Sequence, residues 1–228
     1  MGRAGKREKM VWAPRKLREI GIDEAGRGPV IGSVFVAGVA NFEGLTELGV
    51  KDSKRLSPAK REYLASRIEE ATDIYVVEMT AREIDERRKR QTLNEITVEL
   101  FSKVLTHFRP DRAFVDAADV KPERFAANLR SNCPLEGVEQ IEIISEWKAD
   151  ERYPLVSAAS IVAKVHRDRS IRELEAELGA EIGSGYPADP TTIQFLKELL
   201  KEGEMEDLPR YVRQSWRTID LYIPKGYK

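Results

Sequence analysis

At 228 residues, 41% hydrophobic and 34% charged, the chain is long enough for one sizeable core and a small appended module, with a heavily charged soluble surface. Its 38 Lys and Arg against 39 Asp and Glu leave a net charge of −1, which excludes a uniformly basic nucleic-acid binder while leaving room for a local basic face. A single cysteine, Cys133, excludes an intrachain disulfide, and no apolar run approaches the roughly 20 residues of a bilayer span, so a monomeric, cytoplasmic protein without membrane contact is expected.

The elements follow in chain order. Residues 1–16 form a basic arm without the apolar stretch of a secretory signal. Leu17–Asp23 alternates apolar and polar residues as a strand does, Ala25–Pro29 is a glycine-rich turn, and Val30–Ala40 is a second apolar strand. Ser57-Pro58 starts a helix, with Ser as cap and Pro at the first helical position, and Tyr63, Leu64 and Ile68 continue it at helical spacing. Asp73–Met79 is a third strand. Thr80 and Thr92 each stand three residues before a glutamate, Glu83 and Glu95, so each opens a helix with a capping box. The second of these runs to about His107, with Ile96, Leu100, Val104 and Leu105 inward. Arg112–Asp116 is a short buried strand, Pro122 begins a helix, Gln140–Ser145 is a fifth strand, and Pro154 begins a long helix to about Leu178. A loop over Gly183–Asp189, a helix opened by Asp189-Pro190 and short pieces from Pro209 complete the chain. The expectation is an α/β fold, a mixed sheet with helices on its faces, divided into an arm (1–16), a main domain (17–180) and a helical C-terminal part (181–228).

Acidic residues stand where apolar strands end. Asp23 and Glu24 close the first strand, Asp116 closes the fourth, and Asp150 follows the fifth. Gathered at one sheet edge, these like charges repel unless cations lie between them, and an all-oxygen donor set suits Mg²⁺ or Mn²⁺. Two such ions can activate an attacking water and stabilise a leaving oxygen at phosphorus. The bland alternative is a set of solvated turn acids. Rival chemistry is weak: His107 and His166 are single helical histidines, Cys133 has no histidine nearby, and there is no nucleophile elbow or Walker A segment. Gly26-Arg27-Gly28 lacks the third glycine of a dinucleotide fingerprint, but its glycines permit close backbone approach and its arginine adds a cation.

Gly21-Ile22-Asp23-Glu24-Ala25-Gly26-Arg27-Gly28-Pro29 resembles the signature segment of the ribonuclease HII family. Further segments match the family in order: Lys51-Asp52-Ser53-Lys54-Arg55-Leu56-Ser57, Phe114-Val115-Asp116, Lys148-Ala149-Asp150 running on to Ala163-Lys164-Val165, and Gly185-Tyr186-Pro187. Ser215-Trp216-Arg217-Thr218 resembles the archaeal branch.

The resemblance implies a ribonuclease H-like five-stranded mixed sheet. It also implies a metal-dependent endonuclease that cuts the RNA strand of RNA–DNA hybrids and cuts 5′ of single ribonucleotides embedded in duplex DNA, leaving 3′-hydroxyl and 5′-phosphate ends. By resemblance Asp23, Glu24, Asp116 and Asp150 hold two Mg²⁺ or Mn²⁺ ions, with Glu24 expected where the strand breaks into the turn. Gly26, Arg27 and Gly28 would read the ribose 2′-hydroxyl, Tyr186 would stack on the following sugar, and Lys51, Ser53 and Lys54 would contact phosphates. Arg87-Arg88-Lys89-Arg90 is a second basic patch, and Lys164 and Arg167 face either site or solvent. Asp168 and Asp119 are set aside, Asp168 as an ion-pair partner on the helix surface. Leu221-Tyr222-Ile223 lacks the glutamine and paired aromatics of a clamp-binding peptide, which puts a sliding-clamp partner in doubt. The alternatives are a ribonuclease HIII-like enzyme, which prefers continuous hybrids, and a non-catalytic hybrid-binding protein.

Overall fold

The computed structural model describes residues 17–50, 56–202 and 208–222, so the basic arm and Lys51, Ser53 and Lys54 lie outside the described residues. Five strands, β1 (Glu19–Ala25), β2 (Val34–Ala40), β3 (Ile74–Met79), β4 (Arg112–Asp116) and β5 (Glu142–Glu146), form one sheet in the order β3-β2-β1-β4-β5. β1–β2, joined by the Gly26–Ser33 loop, and β2–β3, joined through a helix, are antiparallel, whereas β1–β4 and β4–β5 are parallel. This is the expected mixed sheet.

Alternation along the strands sorts the core into two layers. Ile20, Ile22, Val36 and Val115 meet Ile84 of α2 (Ala81–Arg88), Leu100 and Val104 of α3 (Leu93–Phe108) and Phe125 of α4 (Pro122–Asn132) on one face. Ala37 and Val39 meet Leu64 and Ile68 of α1 (Pro58–Ala71) and Leu155, Ala158 and Val162 of α6 (Pro154–Leu178) on the other. The short α5 (Ala149–Arg152) leads into α6. Both capping boxes are made: Thr80 and Thr92 each accept from the backbone N–H of their glutamate, and each glutamate accepts from the threonine N–H.

Three strands depart from expectation, the first spanning Glu19–Ala25 rather than Leu17–Asp23. The second starts at Val34 rather than Val30, because Gly32 takes φ 90° and Ile31 bridges instead to Val212 in the C-terminal segment. Val30 and Ile31 thereby join a third apolar cluster with Ile182, Leu196 of α7 (Pro190–Glu202), Val212, and Ile219 of α8 (Arg217–Asp220). The fifth begins at Glu142, two residues late, because Val138–Gln140 closes as a 3₁₀ turn after Gly137 at φ 80°.

Gly21 and Gly38 set how closely the helices approach the sheet. A Cβ on Gly21 would lie 2.3 Å from the backbone carbon and oxygen of Leu155, and one on Gly38 would lie 2.3 Å from the Val104 side chain. Backbone at the start of a packed helix cannot step aside as a valine methyl can. Gly21→Ala is therefore expected to cost about 3 kcal/mol and Gly38→Ala about 1–2 kcal/mol in urea unfolding. Equal losses would contradict the distinction.

Candidate active site

The parallel register pairs Ile22 with Val115, so the next residues, Asp23 and Asp116, stand abreast where pairing of β1 with β4 stops. β4 pairs Asp116 with Glu146, after which the chain turns through Lys148 at φ 55° into α5, which carries Asp150. The Ala149 N–H donates to Asp116 Oδ1 at 2.8 Å, fixing the start of α5 against the end of β4. Asp23 and Asp150 are both buried, each 5% exposed. Glu24 does not mark the strand's end as expected. β1 runs on to Ala25, because Glu24 still pairs with Val36 of β2 after the β4 side has let go.

Adjacent strand residues point oppositely, and these two carboxylates do so. Asp23 faces α6, hydrogen-bonded by the Ser160 side chain, and its Oδ1 accepts the Glu24 N–H at 2.7 Å. Burial pushes its carboxyl well above the usual range, with Glu24 and Asp116 raising it further. Burial also raises Glu24, to about 7, partly offset by Arg27 and reinforced by Asp116. Glu24 Oε1 lies 3.7 Å from Arg27 Nη1, and Glu24 Oε2 is buried with no hydrogen-bond partner. An unpartnered carboxylate oxygen beside two more acids, with oxygen donors only, fits a hard divalent cation. Among the described residues, no three His, Cys, Asp or Glu side chains converge as a ready-made cage.

Beside the acids, Gly26 takes φ 90°, where a Cβ would also sit 2.5 Å from the Ser33 oxygen. A Cβ on Gly28 would meet the Tyr186 ring at 3.2 Å, so turn and tyrosine are in contact. Gly185 O accepts the Val30 N–H at 2.8 Å, tying the tyrosine segment to the turn. Glu24, the Gly26–Gly28 turn, Arg61, Ser160, Lys164 and Tyr186 line a cleft of about 400 Å³. The Arg27 guanidinium does not project into open cleft. It donates to Ala118 O at 2.8 Å and Asn94 Oδ1 at 2.6 Å, and Asn94 in turn donates to Asp119. Asp119, ion-paired with Arg124, belongs to that supporting chain.

Lys164 lines the cleft, whereas Arg167 is buried behind it and donates to Ser184 O. With Arg61 they surround Asp168, which is the ion-pair partner expected on this helix, though half-buried rather than on its open surface. Burial alone would raise the Asp168 carboxyl, but hydrogen bonds from Lys164 and Arg167 hold it below the usual range. Three cations around one carboxylate leave a positive surplus against the cleft. The Arg167 guanidinium also lies 5.3 Å from the centre of the Tyr186 ring. The run at residues 87–90 is largely spent on local partners: Arg87 pairs with Glu99, Lys89 with Glu86, and Arg88 donates to Gln91 O.

Arg213, which sequence reading passed over, has no exposed surface and bonds to the glycine turn. Its segment, Leu208 to Trp216, mixes apolar and polar residues and gives no signal of burial, and its partners lie far away in the chain.

A family model described as Ribonuclease HII matches residues 20–219. The chain belongs to the ribonuclease HII family. It is a ribonuclease H, a hydrolase, and its α/β sheet is the ribonuclease H fold. A ribonuclease HII of Methanosarcina barkeri is 51% identical over 208 residues, covering 88% of this chain and 92% of the relative. The crystal structure of ribonuclease H2 from Pyrococcus horikoshii superposes with TM-score 0.80 at 43% identity, covering 90% of this chain and 97% of that one. A ribonuclease HII from Archaeoglobus fulgidus, solved in complex with PCNA, gives TM-score 0.79 at 42% identity, covering 88% and 95%. No helix among the described residues is long and apolar enough to cross a membrane.

The raised Glu24 carboxyl makes a signed prediction. The folded protein keeps a proton between the ordinary 4.5 and about 7 that the unfolded chain releases, so this group's contribution to stability falls as pH rises through that window. In metal-free protein, the stability of Glu24→Gln relative to the parent should therefore rise by about 3 kcal/mol between about pH 4 and pH 8. Urea titrations at several pH values measure it, and a pH-independent difference would show that Glu24 ionises normally.

Proposed function

We propose that this ribonuclease H hydrolyses the RNA strand of RNA–DNA hybrids and also cuts 5′ of a single ribonucleotide in duplex DNA. The observation that carries the proposal is that Glu24, chain neighbour of the buried Asp23, lines the same cleft as the Gly28–Tyr186 contact. A site for phosphodiester chemistry and a site able to sense a sugar then share one cleft.

Asp23, Glu24, Asp116 and Asp150 are the proposed ligands of two Mg²⁺ or Mn²⁺ ions, whose chemistry is to activate an attacking water and stabilise the leaving oxygen. Asp23, hydrogen-bonded on its α6 side, is fixed in direction, and the Glu24 oxygen without a partner is the freest donor. Tyr186 offers its ring to the sugar next to the ribonucleotide, and the turn offers main-chain groups to the 2′-hydroxyl. Arg27 serves this by holding the turn against Asn94 and Ala118 rather than by reaching out. The surplus charge of Arg61, Lys164 and Arg167 suits a phosphate of the bound strand. In this reading the segment from residue 181 on is the substrate-binding part, working with the main domain as a monomer. Water would attack phosphorus and the bond to the 3′-oxygen would break, which leaves a 3′-hydroxyl and a 5′-phosphate without a covalent enzyme intermediate. A sliding clamp is not part of the proposal, since Leu221-Tyr222-Ile223 lacks the residues of a clamp peptide and Ile223 lies outside the described residues.

Product mapping on a duplex with one embedded ribonucleotide, in the presence of Mg²⁺ or Mn²⁺, tests this. A single cut 5′ of the ribonucleotide is expected, and Asp23→Asn should lower the rate about 10³-fold or more while leaving the fold intact. An uncut single-ribonucleotide duplex beside a cleaved continuous hybrid would instead give a ribonuclease HIII-like specificity.

A further inference from the structure

Burying an arginine is expensive unless every donor is used and something is gained by the charge. Arg213 is completely buried, yet its hydrogen bonds go to three neutral main-chain oxygens. Nε donates to Gly32 O at 2.8 Å, Nη1 to Arg27 O at 3.1 Å and Nη2 to Gly26 O at 2.6 Å. Burial, with Arg167 as a like-charged neighbour, pulls its guanidinium down to about 9. Trp216 lies over it, ring centre 4.8 Å from the guanidinium carbon, and donates its own Nε1–H to Gly28 O at 3.3 Å. The carbonyls of Gly26, Arg27 and Gly28 are thus all claimed from one side by a single C-terminal segment.

A trans peptide has its C=O and N–H on opposite sides, and no peptide bond among the described residues is cis. Turning the Gly26 and Arg27 carbonyls toward Arg213 turns the N–H groups of Arg27 and Gly28 the other way. Pro29 follows and has no N–H to offer. The turn lines the cleft beside Tyr186, and the N–H groups of Arg27 and Gly28, on the face away from Arg213, meet no main-chain acceptor among the described residues. A hydrophobic residue at 213 could fill the space but could not set the direction of two peptide planes.

We infer that Arg213, seconded by Trp216, is a positioning residue for ribonucleotide selection: it aims the amides of Arg27 and Gly28 at the 2′-hydroxyl. The inference rests on the proposal that the turn meets the ribose.

The test measures binding by fluorescence anisotropy on the non-cleaving Asp23→Asn protein with Mg²⁺. Its ligands are a duplex with one ribonucleotide and the same duplex in DNA alone. The preference for the ribonucleotide duplex should fall about fivefold or more in Arg213→Lys, whose single ammonium cannot hold three carbonyls, while all-DNA affinity changes less than about twofold. A merely structural arginine would lower thermal stability and leave that ratio unchanged, which overturns the inference. Trp216→Phe keeps the ring and removes the donor. It should cut the ratio about twofold to threefold, and it decides the matter if Arg213→Lys does not fold. A parent protein with no preference would overturn the reading of the turn itself, whatever the variants do.

Discussion

Like charges placed side by side under a sheet edge are the constraint to which the other parts of this molecule answer. Asp23 is set beside Asp116 by the Ile22–Val115 register, and Glu24 is its chain neighbour, so none of the three can move away without breaking a ladder. The fold relieves the strain in different ways on the two faces. On the α6 side, Ala158, Ala159 and Ser160 are small enough to let the helix close over Asp23 and give it a hydroxyl. On the α3 side, Arg27 returns as a counter-charge to Glu24, held there by Asn94, Asp119 and Arg124 in series.

The same arginine ties the acids to the turn that follows them. Gly26 and Gly28 flank it, one needing a positive φ and the other needing room for a tyrosine ring. Because Arg27 is anchored inward, the turn presents main chain to the cleft. Main-chain direction is then fixed from the far side by Arg213 and Trp216, which the third apolar cluster holds in place. Carboxylates stand on the sheet and the groups proposed to face the sugar on a turn, but both are braced by buried ion or dipole contacts rather than left to loop chemistry.

Much of this was legible in the sequence because its signals are local. The capping boxes at Thr80 and Thr92, the prolines at positions 58, 122 and 154, and acids at strand ends each act within a few residues. What escaped depends on long-range partners. Arg213 bonds to carbonyls 181 to 187 residues away, and no periodicity in its own segment announces them. Arg61 joins Asp168 across 107 residues for the same reason. The start of β2 was misjudged because Val30 and Ile31 are as apolar as a strand, but the partner they satisfy is the C-terminal segment. The inward course of Arg27 could not be inferred from its motif, since a cation between glycines reads equally as a reaching or an anchored side chain.

The two buried charges at the heart of the site differ in how their cost is met. The acids repel one another in the bare protein, and a bound cation would turn that repulsion into attraction, so occupancy of the site and stability of the fold are linked. Arg213 has no such external partner. Its charge is spread over three carbonyl dipoles that the fold already supplies, and that debt is settled once, during folding. A metal-responsive cluster and a fixed cation therefore sit back to back across one turn. On the proposed function, chemistry at Asp23 varies with the ion while the direction of the Arg27 and Gly28 amides does not, as selection of a single sugar among many would require.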